Sequence, residues 1–176
     1  MTVARSQIVL SGRERFFHED EIIVSKTDLT GKITYANRVF IKVSGYTEDE
    51  LLGAPHSLIR HPDMPRAVFK LLWDRLMTGH EIFAYVNNMA RNGDNYWVLA
   101  HVTPSYDAGG TIVGFHSNRR VPERSKIAIV EGVYAALRAE EHRHEDRVRA
   151  LQASTELLHA TLQAAGKTYD EWIWTL

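Results

Sequence analysis

The stretch Arg60-His61-Pro62-Asp63-Met64-Pro65 divides the chain. Before it lie strand signals and short helices; after it comes an amphipathic helix and then three strand-like runs. Asp63 stands where a helix N-cap belongs, and Pro65 falls in the first turn, where a missing N–H costs little. Val68, Leu71, Leu72 and Leu76, with Phe69 and Trp73 beside them, recur at helical spacing, and Gly79 closes the helix. A guanidinium, an imidazole and a carboxylate within one turn also make a polar wall for a ligand. The stretch therefore has two readings, a helix cap and a binding site.

Upstream, Ile22-Ile23-Val24 and Ile33-Thr34-Tyr35-Ala36 flank the turn Asp28-Leu29-Thr30-Gly31-Lys32 and read as a hairpin. Asn37 is a suitable N-cap for a short helix through Phe40 and Val43, ended by Gly45 and Tyr46. Thr47 and Glu50 form a capping box that opens a second short helix, with Leu51 and Leu52 facing inward and Gly53 closing it. Downstream, Ile82–Val86 leads into Asn92-Gly93-Asp94, a strong hairpin signal. Tyr96–Val102 and Thr111–Ser117 follow, separated by a turn holding Asp107, Gly109 and Gly110. Strand alternation places one of Tyr96 and Trp97 in the core and the other outward. Two strands, short helices and three hairpin-linked strands make an α+β fold: one antiparallel sheet with helices on one face.

Residues 1–20 read as an N-terminal cap anchored by Phe16 and Phe17, 21–121 as the sheet domain, and 122–176 as a C-terminal helical extension. In the extension, Val130, Tyr134, Leu137, Val148, Leu151, Leu158 and Leu162 form an apolar stripe that Glu141 and His144 interrupt. Either two helices meet near 140–147 or one long helix changes partners there. Glu140 to Arg147 reads as a solvated charged face. His142 and His144, two residues apart, fall on different sides of a helix and make a poor metal pair. Tyr169, Trp172, Ile173 and Trp174 form an aromatic tail that needs a surface to pack on.

Across 176 residues, 44% apolar content suits a globular domain with a substantial core. The balance of 21 basic and 22 acidic side chains argues against nonspecific binding to nucleic acid. The apolar runs are too short to span a bilayer, and Arg5, Ser6 and Gln7 break any signal segment, so a cytoplasmic chain with no membrane insertion is expected. The absence of cysteine excludes disulfides, thiolate metal sites and Cys nucleophiles. No nucleophile elbow or metal-ligand helix is present, so neither catalysis nor a metal site is expected.

Several motifs together carry a family resemblance: Tyr35-Ala36-Asn37, Ser44-Gly45-Tyr46-Thr47 with Glu50-Leu51 and Gly53, Pro55-His56, and the Arg60–Pro65 stretch. Trp73, Asn88, Asn92-Gly93-Asp94, Tyr96-Trp97-Val98 and Val102-Thr103-Pro104 extend it. Over roughly residues 20–121 the chain resembles a PAS sensor domain, and specifically the FAD-binding PAS domain of bacterial aerotaxis receptors. His-Pro-Asp also occurs in J-domain co-chaperones, but between two long helices, which the strand signals here do not provide. The resemblance implies a PAS fold: a five-stranded antiparallel sheet with a ligand pocket between its inner face and the helices. It associates Asn37, Arg60, His61 and Asp63 with flavin binding, and Trp73 and Asn88 belong to the same matching text. His56 has two readings, a helix-end histidine with a satisfied hydrogen bond or an axial ligand if the cofactor is haem.

Two departures from the family pattern stand out. Ile82 occupies the place of a Trp, and Met89 and Ala90 replace basic residues that usually follow the Asn at 88. The expected function is a soluble FAD-binding redox or oxygen sensor that signals through its flanking helices to a twin chain, as a homodimer, or to a separate signalling protein. The alternatives are a haem-binding gas sensor and a cofactor-free dimerisation module.

Overall fold

The computed structural model describes residues 8–176, so the first seven residues of the expected N-terminal cap lie outside it. Five strands form one antiparallel sheet in the order β2-β1-β5-β4-β3. They are β1 (Ile23–Thr27), β2 (Ile33–Ala36), β3 (Ile82–Met89), β4 (Asn95–Tyr106) and β5 (Ile112–Arg120). Between β2 and β3 lie α1 (Arg38–Ser44), α2 (Glu48–Leu51), a 3-10 turn (His56–Ile59) and α3 (Arg66–Met77). After β5 come α4 (Arg124–His142), α5 (Arg147–Ala164) and α6 (Tyr169–Trp174). The sheet and its helices are the PAS fold expected from the sequence.

Asn37 ties α1 to β1. Its Oδ1 accepts from the Phe40 N–H at 2.9 Å and the Val24 N–H at 3.0 Å, and its Nδ2 donates to the Ile22 carbonyl at 2.8 Å. The capping box of Thr47 and Glu50 forms as read. Leu51 is buried but Leu52 is exposed, because α2 is a single turn and presents only one side to the core.

The chain ahead of β1 is laid along the start of β4. Arg15 N–H donates to the Asn95 carbonyl at 2.7 Å, and Asn95 N–H to the Arg13 carbonyl at 2.9 Å. Phe17 packs against the core, whereas Phe16 is exposed and meets the Arg124 guanidinium instead. At the β3–β4 turn Gly93 has φ 86°, and a Cβ there would approach the Val9 carbonyl oxygen to 1.9 Å. Both the left-handed backbone and the close strand crossing require glycine.

Tyr96 and Trp97 are both buried, against the expectation that one faces outward. Tyr96 points to the side of the sheet that carries α3; Trp97 points to the other, which the extension covers, and its ring stacks near Tyr134 of α4 at 6.3 Å. The extension also closes the sheet's β3 edge. The outward carbonyl of Phe83 accepts from the Tyr169 hydroxyl at 2.9 Å and that of Tyr85 from the Tyr134 hydroxyl at 2.8 Å. The Asn87 carbonyl accepts from the His61 N–H at 3.4 Å. An edge strand is thereby kept from pairing with another chain. Trp172 and Ile173 of the aromatic tail are buried, and Trp174, though exposed, packs edge-on against Phe83 at 4.7 Å.

Residues 123–165 form two helices rather than one, with Asp146 capping α5 through a 2.7 Å bond from the Arg149 N–H. Val148 is exposed, contrary to the stripe reading. The buried side of α5 runs instead through Ala150, Ala153 and Ser154, small residues in its first half, and then through Leu158 and Leu162, and it packs against α3 and α4.

Asp63 is not the N-cap of α3. Pro65 occupies that position and offers no side-chain acceptor, and the exposed Asp63 carboxylate lies two residues too early. The first N–H groups of α3 are capped from the extension. Glu141 Oε1 accepts from Arg66 N–H at 2.7 Å and Ala67 N–H at 3.3 Å, and also from the Ser154 hydroxyl at 3.0 Å. The segment from Glu140 to Arg147 is therefore not merely a solvated face: a carboxylate in its middle neutralises the positive end of α3.

Candidate ligand cavity

Strand alternation turns Ser25, Thr27, Val86, Asn88, Ala100, Val102, Ser117 and Arg119 toward α3, and between them the fold leaves a cavity of about 380 Å³. Its walls are apolar: Phe69, Leu72, Trp73 and Leu76 from α3, and Val86, Ala100, Val102 and Phe115 from the sheet. Trp73 meets Phe115 edge-on at 5.4 Å, and Gly31 packs so closely on Trp73 that a Cβ would lie 3.2 Å from its ring. A volume in the range of about 300–1,000 Å³, apolar walls and a few convergent polar groups describe a small-molecule site.

Of the residues expected at a cofactor, His56, Arg60, Trp73 and Asn88 line this cavity, and Asn37, His61 and Asp63 do not. Asn37 spends its side chain on backbone groups, as described. His61 is buried, and its Nδ1 accepts from the Asp63 N–H at 3.1 Å, which folds the turn on itself. Arg60 reaches the cavity with its guanidinium 3.9 Å over the Phe69 ring and Nη2 donating to the Met64 carbonyl at 3.1 Å. Ile82, the departure from the family pattern, is buried but not part of the lining; on β3 that role falls to Val86 and Asn88. Met89 and Ala90 are buried as well.

The most unusual lining residue is one that motif reading passed over. Arg119 of β5 is 2% exposed, and its charge lies over the Phe40 ring at 4.6 Å. Its Nη2 donates to the Ser25 hydroxyl, while Nε and Nη1 have no partner among the described residues. Ser25 in turn lies 3.1 Å from His56 Nε2. The hydroxyl, which accepts from Arg119, has one proton to give; donating it to Nε2 sets the ring in the Nδ1–H form. Burial, and then the nearby Arg119 charge, push the His56 pKa down to about 3, so the ring is neutral at physiological pH. Burial lowers the Arg119 pKa to about 10, which still leaves it charged. Asn88 is a second unmet donor, its buried Nδ2 having no partner among the described residues. Among the described residues the lining thus carries two arginines, a neutral histidine and no carboxylate.

Among the described residues, no three His, Cys, Asp or Glu side chains are grouped as a metal site, and no helix is long and apolar enough to cross a membrane.

Residues 33–119 match the PAS fold family. Over 121 residues, 69% of this chain, the sequence is 45% identical to the aerotaxis receptor of Escherichia coli strain K12. It is 30% identical over 96 residues to the bacterioopsin transcriptional activator of Halobacterium salinarum. These alignments span 24% and 14% of the relatives' own lengths, so the chain corresponds to a fraction of each. Among solved structures, the blue-light photoreceptor Aureochrome1 LOV in its dark state superposes with a TM-score of 0.56 at 24% identity, covering 65% of this chain and 85% of that one. The family match over residues 33–119, the five-stranded antiparallel sheet with its helices and the likeness to a solved structure of the same fold identify the sheet domain of this chain as a member of the PAS fold family.

Proposed function

We propose that this chain is a flavin-binding PAS sensor of redox state or oxygen, with FAD as the flavin, that reports to a twin chain or a separate signalling protein and catalyses nothing itself. The observation that carries the reading is the cavity: an apolar slot whose buried donors Arg119 Nε, Arg119 Nη1 and Asn88 Nδ2 lack acceptors among the described residues. The 45% identity to an aerotaxis receptor, and the motif resemblance to the FAD-binding PAS domains of such receptors, select flavin among planar ligands. A bound isoalloxazine ring supplies reversible redox chemistry that changes charge and protonation at its polar edge. Trp73, Phe69 and Leu72 form the apolar cover of the slot, while Arg60, Asn88 and Arg119 offer donors at its margin.

The route outward is short. Arg60 touches both the cavity and the Met64 carbonyl. One residue earlier in the same turn, the Asp63 carbonyl accepts from Arg138 of α4, and two residues beyond Met64 the Arg66 N–H donates to Glu141. A change in the hydrogen bonds of Arg60 is thereby delivered to the α4–α5 hairpin. The absorbance spectrum of gently purified protein tests the cofactor. The expected result is the pair of flavin bands in the near ultraviolet and blue. A Soret band would transfer the site to haem, with His56 as its ligand, and a featureless spectrum after incubation with FAD would leave a cofactor-free interaction module.

A further inference from the structure

Arg119 is a residue that the fold alone does not call for. A buried guanidinium is costly unless it is paired and its donors are met. Here three features oppose one another. The side chain is 2% exposed. Among the described residues it has no carboxylate partner, its one side-chain acceptor being Ser25. Nε and Nη1 are unmet, while the residue itself lines a cavity that contains no acid. Serine and histidine are arranged to accommodate the cation rather than to neutralise it, since Ser25 accepts from it and His56 stays uncharged beside it.

We infer that Arg119, held by Ser25 and backed by His56, binds an oxygen-bearing or anionic edge of the cavity's planar ligand, and that the protein leaves the arginine unneutralised because the ligand supplies the acceptor. This assignment rests on the ligand-binding reading of the cavity and names the residue that would read the ligand's polar edge. Arg60 is placed differently: its guanidinium is stacked on Phe69 and bonded to the turn, where it serves the link to the α4–α5 hairpin. A functional arginine of this kind has a recognisable signature, because it lowers the stability of the empty protein in order to bind.

The test compares wild type with Arg119→Met and Arg119→Lys, each stripped of flavin and then titrated with FAD. Stripped Arg119→Met is expected to melt several degrees above stripped wild type, since a well-packed apolar side chain replaces an unpaired buried charge. Its FAD dissociation constant is expected to rise by about 10- to 100-fold, the effect of losing hydrogen bonds from a charged donor. Arg119→Lys keeps the charge without the planar fork, so it is expected to bind with intermediate affinity, which separates the loss of the fork from the loss of the charge. Wild type that binds FAD while both variants bind it equally well overturns the assignment of Arg119 and leaves the flavin reading standing. Wild type that takes up no FAD overturns that reading and this assignment together. A stripped Arg119→Met that melts below wild type identifies the arginine as a structural prop and also overturns the inference.

Discussion

Glu141→Ala is expected to lower the unfolding free energy by about 2–4 kcal/mol, a large change for a half-buried position. One carboxylate oxygen receives the Arg66 and Ala67 N–H groups and the Ser154 hydroxyl, so it caps α3, anchors α5 and joins the extension to the helix that roofs the cavity. Alanine leaves the two N–H groups at the start of α3 without their acceptor and removes a negative charge from the positive end of the helix. Glu141→Gln retains an acceptor oxygen but no charge and is expected to lose about half as much. Urea midpoints for the three proteins measure the difference. Equal stability of wild type and the alanine variant would mean that water replaces the carboxylate and that the extension is not held through this contact.

The second large effect is in the pH dependence. The His56 pKa falls from 6.5 to about 3 on folding, for burial first and the Arg119 charge second. Above pH 6.5 the ring is neutral in both folded and unfolded chains, and its neutral burial costs no proton. As pH falls below that value the unfolded chain takes up a proton that the folded chain refuses, so stability declines progressively toward pH 3. Between pH 7 and pH 5 the loss is about 2 kcal/mol for this one residue. His116, also held below its ordinary pKa by burial, adds to the decline in the same direction. His56→Gln, which can still take the Ser25 hydroxyl's bond, is expected to flatten the stability profile by about 2 kcal/mol over that interval while His116 keeps its smaller share. Denaturation of flavin-free protein at pH 7 and pH 5 supplies the comparison; identical slopes for wild type and variant would place the titrating group elsewhere.

Much of the fold was legible because local signals agreed with one another. The Thr47–Glu50 box, Asn37 at the head of α1 and the Asn92-Gly93 turn each formed as their chemistry demands. The failures share a cause, which is that long-range partners are invisible to local pattern. Asp63 has the composition of a cap, yet a carboxylate 75 residues distant caps α3. Alternation alone puts one of Tyr96 and Trp97 in the core and the other outward, but a covering helix buries both faces of β4. Val148 fits the spacing of an apolar stripe, but the buried side of α5 starts at Ala150 and runs through Ala153, Ser154, Leu158 and Leu162.

The site was legible in part. His56, Arg60, Trp73 and Asn88 converge on one cavity although 32 residues separate the first from the last, and motif resemblance found them. Arg119 was missed because no motif contained it, yet a signal existed. On β5, Phe115, Ser117 and Arg119 alternate on one side, and since Phe115 is core, the same register turns Arg119 inward. A charged residue at an inward strand position is informative even without a motif.

If the C-terminal helices read the state of the cavity, hydrogen exchange reports it without an intermediate step. Exchange of the α4 and α5 amides would be followed in FAD-loaded protein, once oxidised and once chemically reduced without oxygen. The expected result is a change in protection localised to the Arg138–Ala150 region and to the first turn of α3, where Asp63, Arg66 and Ala67 meet Arg138 and Glu141. Identical protection of these segments in the two redox states would contradict it.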